Sequence, residues 1–184
     1  MEKESVGRLL LSAAYLEGDF VLRSGKRSKY YLDKYLFETD PHVLRGIVEE
    51  LAMMVRDRLV AGAGYARVAA PELGGVVLGA GLSLELGLPL LLVRKLTKEY
   101  GTGKRIEGRF ERGDRVALVE DIVTSGGAAI QAAEALREAG VVVEDLFCVV
   151  DRQEGSAEAA AAAGLALRPL FTSSELGIGP SRKE

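Results

Sequence analysis

Residues 115–128 read RVALVEDIVTSGGA. Four mostly apolar residues, Val116 to Val119, lead into two adjacent acids, Glu120 and Asp121. Ile122 and Val123 follow, then Thr124, Ser125, Gly126 and Gly127, where a helical pattern opens through Ala128. The order is a buried strand, a polar turn and a helix start. Backbone N–H groups converge at such a turn, and the helix dipole favours an anion there. Gly126 and Gly127 let the backbone approach a ligand closely, and Thr124 and Ser125 add hydroxyl donors. The acids stand where ribose hydroxyls or a hydrated divalent metal can be held. Capping a helix does not require paired acids after a buried strand, so the stretch points to a phosphorylated sugar.

Strand and helix patterns alternate on both sides of it. Helical spacing over 4–16 ends at Gly18, and short strands follow at Phe20–Leu22 and Tyr30–Leu32 with a basic turn, 24–28, between them. Asp40 and Pro41 open a helix reaching about Leu59. Val68–Ala70 reads as a strand, PELGG (71–75) as a turn and Val76–Leu86 as a helix. Leu88–Val93 has no polar residue and reads as a strand buried on both faces. Residues 94–113 are a long charged stretch rich in glycine. Strands at Arg115–Glu120, Val141–Val150 and Leu165–Leu170 alternate with helices at Gly127–Ala139 and 157–163, with Gly140 closing the first of these. This order predicts an α/β fold with a mainly parallel central sheet flanked by helices. Ligands then gather at the carboxyl ends of the strands, around the turns at 71–75, 94–109, 120–128 and 151–154.

The chain has 184 residues, 48% hydrophobic and 28% charged, with a net charge of −3. That fits one ordered domain spanning 1–184 and excludes a disordered chain. An acidic balance gives no global field for nucleic acid, and no apolar segment is long enough to cross a membrane. The N-terminus, MEKESVGRLL, lacks a signal-peptide pattern, so a cytoplasmic location is expected. The lone cysteine, Cys148, lies in an apolar run and reads as core. The lone histidine, His42, reads as an ordinary surface residue.

Three features add chemistry. Residues 94–109 gather Arg94, Lys95, Lys98, Lys104, Arg105 and Arg109, interrupted by Gly101, Gly103 and Gly108. A long loop of this kind reads as a mobile basic lid that closes over a site and neutralises an anionic leaving group. Arg152, just after a strand, offers a guanidinium fork to a carboxylate; the alternative is an ion pair with Asp151 or Glu154. Tyr30 reads as core, whereas Tyr31 is left open between core and stacking on a flat base.

VALVEDIVTSGGA resembles the phosphoribosyl-pyrophosphate (PRPP) motif of the type I phosphoribosyltransferases. LRSGKRSKYYLD (22–33), RKLTKEYGTGKRIEG (94–108) and VVDRQEG (149–155) resemble, in order, the N-terminal segment, the mobile catalytic loop and the D-R-Q-E-G segment of the orotate phosphoribosyltransferases. The resemblance implies the type I fold, with a small hood from about 1–35 plus the C-terminal segment and a mobile loop at about 94–109. It implies Mg²⁺-dependent transfer of ribose 5-phosphate from PRPP to orotate, giving orotidine 5-phosphate and pyrophosphate in pyrimidine biosynthesis. Lys98, Asp121 and Glu120 would be catalytic. Arg94, Lys95, Lys98, Tyr100, Lys104 and residues 120–128 (Glu120, Asp121, Ile122, Val123, Thr124, Ser125, Gly126, Gly127, Ala128) would bind PRPP. Thr124, Arg152, Tyr31 and Arg23 would bind orotate. No direct protein ligand to the metal is implied, Mg²⁺ being held through substrate and water. A homodimer is implied too, with loop 94–109 reaching the neighbouring site.

Two departures stand out. Tyr100 occupies the loop position usually held by histidine, and a phenol with a pKa near ~10 is a poor proton shuttle at neutral pH. PELGG carries no lysine, where some members have one on the pyrophosphate. Two rival readings differ in kind: a transferase for a purine base, which gives Arg152 no carboxylate to hold, and a non-catalytic PRPP sensor, for which the chain shows no added nucleic-acid module.

Overall fold

The computed structural model describes residues 2–21, 27–95 and 104–178. Helix α1 (Lys3–Ala14) leads into a hairpin of β1 (Tyr15–Val21) and β2 (Arg27–Leu32), followed by the short α2 (Lys34–Glu38). The rest alternates: α3 (Pro41–Val60), β3 (Arg67–Pro71), α4 (Gly74–Leu86), β4 (Leu90–Val93), β5 (Ile106–Glu107), β6 (Arg115–Val123), α5 (Gly127–Glu138), β7 (Val142–Asp151), α6 (Ser156–Ala162) and β8 (Ala166–Thr172). The hairpin is its own antiparallel sheet. The six central strands run in the order β5-β4-β3-β6-β7-β8. All pairings in that sheet are parallel except β4 with β5. The α/β expectation therefore holds, with one antiparallel strand at an edge.

Strand alternation divides the core. Ala117, Val119, Phe147 and Val149 face one hydrophobic cluster with Ile47 and Leu51 of α3 and Leu78 and Leu82 of α4. Val116, Leu118, Leu146 and Cys148 face the other, with Ala132, Ala133 and Leu136 of α5. Cys148 is fully buried, and burial pushes its thiol up. His42 is exposed, its amide donating to the Asp40 cap. Among the described residues no helix is long and apolar enough to cross a membrane.

The structure moves several boundaries. The first helix stops at Ala14, because Tyr15 is already extended, pairs with Leu32 and stacks on Tyr30. Gly18 sits inside β1, at an irregularity in its register, rather than at a helix end. The segment 33–39 forms α2, unseen in the sequence, with Asp33 accepting from the Tyr35 amide as its cap. Gly74 and Gly75 belong to α4 rather than to the preceding turn. β4 is not buried on both faces: Leu91 and Val93 are buried in the cluster with α5, while Leu90 and Leu92 on the opposite face are only half so. The short strand β5 breaks the supposed irregular stretch 94–113. Gly108 makes it possible: its φ is +110°, and a Cβ there would lie 2.8 Å from the Leu90 carbonyl. β6 runs on to Val123, so both acids sit in the strand itself.

From β3 the chain moves outward to β4, and from β6 it moves the other way to β7. The strand order reverses between β3 and β6, and their carboxyl ends open a crevice there.

Candidate active site

The crevice is floored by β6. Val116 to Leu118 of β6 pair with β3, but the strand then outruns its neighbour. Past that point Asp121 lies against Gly74 at the start of α4. Glu120 is 9% and Asp121 3% exposed. Glu120 Oε1 accepts the Asp121 amide at 3.1 Å, and Asp121 Oδ1 accepts the Ile122 amide. Asp121 Oδ2 takes the Lys34 ammonium at 2.6 Å. Burial, and then the Asp121 charge, push the Glu120 carboxyl up to about 8.

The turn after β6 is open. Thr124, Ser125, Gly127 and Ala128 are exposed, and with Glu120, Ile122, Val123, Gly126 and Ala129 they line a cleft of about 360 Å³. Gly126 caps α5 with φ 82°, and no side chain takes the first-turn amides. The cap residue is thus Gly126, not Thr124 or Ser125. Free N–H donors at a helix start suit an anion.

Gly127 and Ala128 also line a second recess, of about 420 Å³, with Arg94, Lys95 and Arg105. The recess brings the turn and the base of the basic loop together. The Arg94 amide donates to the Arg105 carbonyl at 2.8 Å, and Val93 pairs with Ile106. Glu72 steadies the base: it accepts the Lys95 amide at 3.0 Å and lies 3.9 Å from an Arg94 nitrogen. The Arg94 Nε is buried without a hydrogen-bond partner. Lys104 is exposed just before β5. Lys98, Tyr100 and Arg23 lie outside the described residues.

Arg152 is held at the other flank. Its amide donates to the Val123 carbonyl at 2.9 Å, which fixes it beside the turn. Its guanidinium donates to the Tyr30 hydroxyl at 3.1 Å and lies 5.1 Å from the centre of that ring. Nε lies 3.1 Å from a Glu154 oxygen but without hydrogen-bond geometry, and is otherwise a buried donor with no partner. The alternative reading, an ion pair with Glu154, is therefore present, though it leaves Nε without a hydrogen bond, while Asp151 accepts from Gln153 and Ser156. Tyr30 is buried, as expected. Tyr31 is 40% exposed and packs on Phe20, because alternation along β2 turns it to the opposite face from Tyr30. Tyr30, not Tyr31, makes the contact with Arg152.

Three participants escaped the sequence reading: Lys34, Glu38 and the Tyr30 hydroxyl. Asp33 as a cap, with Lys34 and Glu38 one turn apart, was the available signal. Glu38 is 3% exposed, and burial followed by the Asp121 charge pushes it up to about 8. Among the described residues no cluster of three or more His, Cys, Asp or Glu side chains is placed to hold a metal ion.

No family model matches the chain. It is 44% identical over 176 residues to the orotate phosphoribosyltransferase of Methanocella arvoryzae, covering 96% of this chain and 97% of that one. The solved orotate phosphoribosyltransferase of Aeropyrum pernix superposes with a TM-score of 0.79 at 31% identity, covering 93% of this chain and 96% of that one. The Mycobacterium tuberculosis H37Rv enzyme in complex with PRPP gives 0.76 at 28% identity, covering 95% and 98%. The fold is that of the type I phosphoribosyltransferases, and at this identity over nearly the whole of both chains the protein belongs to the orotate phosphoribosyltransferase family.

Proposed function

We propose that the protein transfers ribose 5-phosphate from PRPP to N1 of orotate, releasing pyrophosphate, in pyrimidine biosynthesis. The observation that carries this reading is the half-buried Arg152 guanidinium, whose Nε makes no hydrogen bond and whose amide ties it to the end of β6. A planar fork of this kind selects a carboxylate, and it stands next to the turn suited to a sugar phosphate.

The first-turn amides of α5, with Thr124 and Ser125, grip the 5-phosphate. Glu120 and Asp121 orient the ribose hydroxyls. Orotate lies between Thr124 and Arg152. Breaking the anomeric C–O bond leaves positive charge on the ribose and negative charge on the departing pyrophosphate. Arg94, Lys95, Lys104 and above all Lys98 neutralise the latter, and the closed loop excludes water. Tyr100 contributes a hydrogen bond rather than a proton shuttle, and Arg23 helps to hold orotate. Two adjacent carboxylates, one already engaged by Lys34, suit a hydrated Mg²⁺ carried by substrate. Bound there, Mg²⁺ supplies Lewis-acid neutralisation of the leaving group. The protein works as a homodimer in the cytoplasm, with loop 94–109 crossing to the neighbouring site.

The test is to incubate the protein with PRPP, Mg²⁺ and one base at a time, and to follow consumption of the base. Orotate alone should disappear. Use of adenine or hypoxanthine instead would make it a purine transferase. Tight PRPP binding with no turnover of any base would make it a sensor.

A further inference from the structure

Lys34 comes from the first residue of α2, 87 positions away from Asp121 in sequence, yet its ammonium reaches Asp121 Oδ2 at 2.6 Å. The segment that carries it is anchored on both sides: Leu32 is buried before it and Phe37 fully buried after it. Asp33 caps the helix, and the Lys34 ammonium lies 5.3 Å from the centre of the Tyr35 ring. Burial works against the Lys34 charge, but the hydrogen bond and charge of Asp121 outweigh it and hold the ammonium above the ordinary lysine range.

A third segment closes on this pair. A Cβ built on Gly74 would fall 1.4 Å from Asp121 Oδ2 and 2.4 Å from Lys34 Nζ. The ion pair fills the space that any side chain at position 74 would need. Its ammonium therefore rests against the start of α4, in a β3–α4 connection whose residues, from Pro71 to Gly75, include no basic side chain. Glu38, one helical turn after Lys34, lies buried with its Oε1 unpartnered.

We propose that Lys34 is a positioning residue for PRPP. Its ammonium fixes the Asp121 carboxylate against Gly74, so that the ribose-binding oxygens are in place before substrate arrives, and it joins the hood segment to the sugar half of the site. The cost of ordering Asp121 is met in folding rather than in binding. This rests on the reading of Glu120 and Asp121 as the ribose acids.

The experiment is a double-mutant cycle on PRPP affinity, measured by calorimetry with Mg²⁺ present, alongside steady-state kinetics. Lys34→Met should weaken PRPP binding about 10-fold or more, leave the orotate KM within about twofold, and lower the melting temperature, because Asp121 is left buried without its cation. Lys34→Arg should recover most of the affinity. In an Asp121→Asn background, Lys34→Met should have almost no further effect. Equal loss in both backgrounds, or unchanged PRPP affinity in Lys34→Met, overturns the proposal. If Lys34→Met fails to fold, the poorer reach of Lys34→Gln gives the same cycle. A wild type that binds no PRPP would sink the functional reading itself, which is a separate result.

Discussion

Asp145, near the start of β7, and Asp121, near the end of β6, are both buried acids in adjacent strands, and they are partnered very differently. Asp145 accepts from the Tyr65 hydroxyl and from Arg168, with Arg58 at 3.5 Å. Burial pushes its carboxyl up, but those bonds and the two guanidinium charges outweigh burial and hold it below the usual range. Asp121 shares one ammonium with a neighbourhood that also buries Glu120 and Glu38, and those two carboxyls are pushed up to about 8. At one end of the sheet two guanidinium groups surround a single acid. The other end has more acid than cation, next to free amides. The first arrangement stabilises the fold, whereas the second is completed by what binds there.

The largest test of that contrast is Asp145→Ala. Leaving two guanidinium groups without their acid should cost about 3–5 kcal/mol, which lowers Tm by roughly 10 °C. The folded fraction should keep kcat/KM within about twofold. A large loss of catalysis without a loss of stability would break the distinction. For the proposed loop catalyst, Lys98→Ala should cut turnover about 100-fold with orotate affinity and Tm nearly unchanged; wild-type turnover would remove Lys98 from its role.

Arg152→Ala should raise the orotate KM about 30-fold, roughly 2 kcal/mol, while PRPP affinity stays within a few-fold. Similar losses for both substrates would mean that Arg152 supports the crevice rather than a carboxylate.

The smallest effect is on pH dependence. Glu38 is raised above its ordinary value, so between about 4.5 and about 8 the folded protein keeps a proton that the unfolded chain has released. Wild-type stability should fall as pH rises through that window and level off above it. Glu38→Gln should flatten the slope and, at pH 9, stabilise the protein by about 1 kcal/mol relative to wild type. Urea melts at pH 5 and pH 9 would show it; an unchanged slope would mean that Glu38 is not held neutral.

Local chemistry was legible. β6, the turn and the start of α5, with their acids and amide donors, lie within the 14 consecutive residues 115–128, and apolar patterning there reads as a strand running into a helix. The Arg152 fork could be read because a strand ends just before it. Segment 33–39 was opaque: a helix of 5 residues is too short to show periodicity. β5, at 2 residues, is smaller still and forms only because β4 is there to pair with it.

The sequence by itself determined the alternating α/β order and the acid pair at a helix start, because these depend on neighbours along the chain. Which cation meets Asp121, and which tyrosine meets Arg152, depended on contacts spanning 87 and 122 positions. Those were decided by the packing of the N-terminal hairpin and α2 against the sheet. Gly74 shows the difference within one residue: its sequence context reads as a turn, while its lack of a Cβ is required by an ion pair between side chains that come together only in the folded protein.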